Sequence, residues 1–98
     1  MPPGVLTDRE KAMARFMVER NFAEQLELNK TAADDIKRIN DDENVKWLFS
    51  FLSADKKKTY CLYEAPNAEA IRTAARRLNS PADVIVEIGG ELRPEMFN

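Results

Sequence analysis

Glu19, Cys61 and Glu64 are the side chains of this sequence best suited to hold a metal ion, and Tyr60 and Tyr63 flank the cysteine in the run TYCLYEA. Carboxylates and thiolates are ligands for divalent cations, and a carboxylate or tyrosine in an apolar cavity serves as an acid or base. The chain contains no histidine, which removes the usual general base near neutral pH and the commonest transition-metal ligand. Cys61 therefore lacks the imidazole that activates a nucleophilic thiol, and reads as a small core hydrophobe. Arg72, Arg76 and Arg77 lie close together on one helix. Such a group reads as a solvated face, with an anionic ligand as the functional alternative.

These residues sit on elements that the apolar pattern predicts. A first strand spans 14–22, with Phe16 and Val18 on one face and Met17 and Glu19 on the other. A helix follows over NKTAADDIKRIND, capped by Asn29 or Thr31, its apolar stripe made by Ala32, Ile36 and Ile39. The second strand, 44–53, alternates Val45, Trp47, Phe49 and Phe51 with Lys46, Leu48, Ser50 and Leu52, so both of its faces are expected to be covered. The loop 54–58 carries a lysine triplet, read as solvated, into the third strand, KTYCLYEA. That strand places Tyr60, Leu62 and Glu64 on one face and Thr59, Cys61 and Tyr63 on the other.

Pro66 ends the third strand, and Asn67 caps a second helix from Ala68 to Leu78 with Ile71, Ala74, Ala75 and Leu78 inward. A last strand begins at Asp83 and alternates until Gly89 and Gly90 permit a bend. The order strand, helix, strand, strand, helix, strand is the ferredoxin-like βαββαβ plan: an α+β fold with a four-stranded antiparallel sheet and two helices on one face. Its other face is left bare and apolar, which predicts a homodimer. Trp47, Phe49, Tyr60 and Tyr63 are the candidates for a pocket or for that dimer face.

The 98 residues suffice for one domain, assigned to 14–98, preceded by a flexible extension over 1–13 in which Thr7 and Glu10 have capping-box spacing. Fifteen basic against 17 acidic residues give a net charge of −2, which provides no field for nucleic acid or an anionic membrane. The single cysteine forms no internal disulfide, and the first residues lack the basic start and apolar run of a secretory signal, so a cytoplasmic location is expected. One cysteine also cannot hold an iron-sulfur cluster.

The segments FMVER (16–20), Trp47 with Ser50, TYCLYEAPNAEAIR (59–72) and PAD (81–83) resemble a family of small bacterial proteins, a domain of unknown function often labelled nickel-binding protein. The resemblance covers roughly residues 14–88, and its most specific part is the run at 59–72. It implies a ferredoxin-like homodimer, with nickel bound at the dimer surface in some members and a role in nickel sequestration. The family pattern commonly has histidine where Phe49 and Ala74 stand here. Nickel favours imidazole nitrogen, so Glu19, Cys61 and Glu64 would make a weaker and less selective site.

Three functions stay open on these grounds. The chain is a metal-binding or small-ligand-binding protein, a dimeric interaction module, or a cofactor-free enzyme using Glu19, Tyr60 or Glu64. The first requires donors that converge, the second a filled apolar face, and the third a closed pocket with a carboxylate or tyrosine pointing into it.

Overall fold

The computed structural model describes residues 13–97, so the capping-box pair Thr7 and Glu10 and nearly all of the expected extension fall outside the described residues. The elements are β1 (Ala14–Asn21), α1 (Lys30–Asp42), β2 (Lys46–Leu52), β3 (Lys58–Ala65), α2 (Ala68–Arg77) and β4 (Val84–Ile88), followed by a 3-10 turn at Pro94–Phe97. They form one sheet in the order β2-β3-β1-β4, every neighbouring pair antiparallel. This is the ferredoxin-like α+β arrangement that the alternation predicts.

Asparagine opens and closes both helices. Asn29 accepts from the Ala32 amide at 2.8 Å and Asn67 from the Ala70 amide at 2.9 Å, which satisfies amides that the first helical turn leaves without partners. At the other ends Asn44 (φ 59°) and Asn79 (φ 51°) take the left-handed conformation. The Val45 amide then donates to the Asn40 carbonyl at 2.8 Å, and the Ser80 amide to the Ala75 carbonyl at 2.9 Å. These are two Schellman turns, one leading into β2 and one leading toward β4.

Both helices pack on the same face of the sheet. Phe16, Val18, Cys61, Tyr63 and Ala65 from the strands meet Ile39 of α1 and Ile71 and Ala74 of α2 in a single core. Arg77 ties the helix ends together, donating to Glu43 at 2.8 Å and Asp42 at 3.1 Å.

One expectation about β2 is overturned. Trp47 pairs with Tyr63 and Phe49 with Leu62, so the register shifts by one at Leu48. This bulge turns Trp47, Ser50 and Leu52 toward the helices and Phe49 and Phe51 toward the open face. Trp47 and Phe49 therefore do not share a face. In the single chain Phe49, Phe51 and Leu52 are exposed.

Candidate functional site

Between α1 and the covered face of the sheet lies a cleft of about 570 Å³. It exists because α1 seats its C-terminal end, where Ile39 and Asn40 are buried, while Ala32 and Ile36 nearer its start only line the gap. The segment after β1 follows the hairpin loop, with the Phe22 amide donating to the Lys57 carbonyl and the Leu26 amide to the Lys56 carbonyl. Phe22 and Leu26 thereby complete the walls, together with Trp47, Leu52 and Leu78.

The polar groups of the cleft come from β1, β2 and β3. Arg20 continues the inward row of Phe16 and Val18, and Thr59 is its partner across the sheet. The Arg20 guanidinium donates to the Tyr63 hydroxyl at 3.0 Å, to Ser80 Oγ at 3.4 Å and to the Pro81 carbonyl, and lies 5.6 Å from the centre of the Tyr63 ring. The turn at Asn79 is what presents Ser80 and Pro81 to it. Burial pushes the Tyr63 hydroxyl above its ordinary pKa of 10, against the opposing pull of Arg20, so at neutral pH it remains protonated. Beside it, Trp47 donates to Ser50 Oγ at 2.8 Å, and the Ser50 hydroxyl to Cys61 Sγ at 2.6 Å. Asp35 also lines the cleft and pairs with Arg38 at 3.3 Å.

The open face is built differently. Glu19 is 3.5 Å from Lys58, whose amine sits 5.7 Å from the Tyr60 ring centre. Attraction to Glu19, then to Tyr60, raises the Lys58 pKa. Around this pair stand Phe49, Phe51, Val84 and Val86, all exposed, with the Phe49 and Phe51 rings in edge contact at 5.6 Å.

The structure divides the candidate residues between these two regions. Trp47, Tyr63 and Cys61 belong to the cleft; Glu19, Glu64, Tyr60 and Phe49 belong to the open face. Glu19 pairs across the sheet with Tyr60, and Glu64 lies four residues further on, roughly 13 Å along the strand. Arg72 and Arg76 pair with Glu69 on their own helix, and Arg77 with Asp42 and Glu43. Arg20 was missed as a site residue by sequence reasoning. Its signal was the two-residue spacing from Phe16 and Val18, which places a charged side chain on the covered face.

A four-stranded antiparallel sheet with two helices on one face and a cleft beneath the first helix defines a small α+β protein of the ferredoxin-like class. The profile of the family described as nickel responsive protein SCO4226-like matches residues 16–88, and the chain belongs to that family. Among solved structures it is similar to that of SCO4226 from Streptomyces coelicolor A3(2), with 26% identity and a TM-score of 0.69, covering 81% of this chain and 100% of that one. No curated protein matches the chain.

Nickel, which the family description evokes, does not fit the donors of a single copy. Cys61 faces the helices while Glu19 and Glu64 face away from them, and among the described residues no three Cys, Asp or Glu side chains lie close enough to share an ion.

Proposed function

We propose that the chain is a non-catalytic, homodimeric binding protein acting in nickel response, and that its ligand is a small organic molecule taken into the cleft beneath α1. The observation that carries this reading is the cleft. Its volume lies within the ~300–1,000 Å³ of small-molecule sites, and it combines apolar walls with a few convergent polar groups, as such sites do.

Binding is favoured over catalysis by where the titratable groups lie. Glu19, Tyr60 and Glu64, the candidate acids and bases, are on the open face and not in the cleft. Within the cleft, Tyr63 holds its proton and Asp35 is engaged by Arg38. The homodimer is supported by the exposed apolar residues of the open face, which water covers poorly. A buried, free Cys61 is in keeping with a reducing cytoplasm, and no helix among the described residues is long and apolar enough to cross a membrane.

Trp47 is the chain's single tryptophan and lines the cleft, which makes it a reporter. Octanol, an uncharged amphiphile, is expected to shift Trp47 emission saturably with one site per chain. An emission unchanged up to the solubility limit would remove the proposal. Native mass spectrometry with added Ni(II) is expected to show a dimer without fixed nickel stoichiometry. Stoichiometric uptake would assign the nickel response to coordination across two copies.

A further inference from the structure

We infer that the inner end of the cleft is a carboxylate site, and that the ligand is an organic monocarboxylate with an apolar body, its head held by Arg20 and Thr59. This rests on the reading of the cleft as a ligand site and adds the chemical class of the ligand.

The first observation is an unbalanced charge. Arg20 is 8% exposed, and no carboxylate pairs with it among the described residues. Its partners are all neutral: the Tyr63 hydroxyl, Ser80 Oγ and the Pro81 carbonyl. A buried cation without a counter-ion is costly, and an anion brought in by a ligand removes that cost. A guanidinium has five N–H donors, of which these contacts occupy three, on Nη1 and Nη2. The Nε donor and one Nη2 donor have no partner among these contacts and are left for a carboxylate oxygen.

The second observation is independent of the first. Thr59 is 4% exposed, lines the cleft and stands directly across the sheet from Arg20. Its Oγ1 is buried without a hydrogen-bond partner, the one such side-chain atom among the described residues. Buried hydroxyls are nearly always satisfied, so an unpaired one on a residue that lines the cleft, across the sheet from a cation without a counter-ion, is the donor left for a ligand oxygen.

The remaining surroundings set the charge and the shape. One guanidinium balances a single negative charge, whereas a phosphate monoester would leave a second charge buried. Asp35, turned to Arg38, disfavours a second anionic group on the ligand. Phe22, Leu26, Ile36, Trp47, Leu52 and Leu78 offer the body of the ligand only apolar surface.

Octanoate, octanol and octyl phosphate, titrated against the full chain by Trp47 emission and calorimetry, separate the two levels of the argument. Octanoate is expected to bind at least about tenfold more tightly than octanol, as a charge-assisted pair requires. Arg20→Gln should erase that preference. Because Arg20→Gln can also unfold the chain, Thr59→Val provides a second test: it keeps the side-chain shape and should reduce the preference several-fold. Equal binding of octanoate and octanol would overturn the carboxylate site while leaving the cleft as a ligand site. Tighter binding of octyl phosphate would overturn the assigned class, and failure of all three to bind would overturn the ligand site itself.

Discussion

On the covered face of the sheet Phe16, Val18, Cys61 and Tyr63 are each 5% exposed or less, whereas on the open face Phe49, Phe51, Val84 and Val86 are 45 to 62% exposed. The same strands supply both rows, and the same two-residue period generates them. What differs is what each face still lacks. Over its core the covered face has buried its apolar surface, and at the cleft, where Trp47 and Leu52 stay exposed, it is left with a polar deficit at Arg20 and Thr59 that a small anion with an apolar body would fill. The open face has paired Glu19 with Lys58 and is left with apolar surface, which a second copy would cover. On the proposed reading, a site for a ligand and a site for a second copy are separated by the thickness of one sheet.

The largest effect is expected from truncation of the buried layer. Ile71→Ala removes a side chain that is 1% exposed and is expected to cost about 2–5 kcal/mol in urea unfolding, since the packed neighbours cannot close the cavity. Phe51→Glu on the open face should leave the fold intact but weaken association. Losing the burial of one phenyl per copy, about 1.5–3 kcal/mol, raises the dimer dissociation constant at least tenfold by analytical ultracentrifugation. A Phe51→Glu chain as dimeric as the wild type would move the interface elsewhere.

A smaller effect connects the helix ends to the cleft. Asn79→Ala places an ordinary side chain at φ 51° and should cost about 1 kcal/mol in thermal unfolding, with Asn79→Gly restoring it. The alanine variant should also bind octanoate more weakly, because the turn that presents Ser80 and Pro81 to Arg20 is loosened. Retained octanoate affinity would detach the turn from the site.

The smallest expected effect is on pH dependence, and it touches both faces. Burial raises the Tyr63 pKa above 10, and Glu19 raises the Lys58 pKa above 10.5. In each case the folded chain binds the proton more tightly than the unfolded chain, so stability falls as pH rises past the unfolded values. The melting temperature is expected to drop above pH 10. Tyr63→Phe should flatten that drop more than Glu19→Gln does, because Tyr63 is buried whereas Lys58 is partly solvated. The reverse ranking would place the larger alkaline liability on the open face.

Much of this architecture is legible in the sequence, for physical reasons that also mark where legibility stops. Alternation in 14–22 and in KTYCLYEA fixes which residues share a face, and the Glu19 and Cys61 placements follow from it. In WLFSFL every parity puts apolar residues on both faces, so periodicity carries no information about the bulge at Leu48. The bulge is what separates Trp47 from Phe49, and with them the cleft from the open face. Arg20 was hidden for another reason. A charged residue at the end of a strand reads as solvent-facing, and only the turn at Asn79 shows that neutral acceptors await it inside. Glu19, Cys61 and Glu64 suggest one ligand set by residue type alone, whereas the same alternation already puts Cys61 on the face opposite Glu64.

Native mass spectrometry of Phe51→Glu in the presence of octanoate reads both faces at once, the binding of a small anion on one and of a second copy on the other. A monomer carrying one octanoate is expected. A monomer that has lost the ligand would make the cleft depend on the dimer, and a persistent dimer would take the open face out of the interface; either result contradicts the division of labour between the two faces.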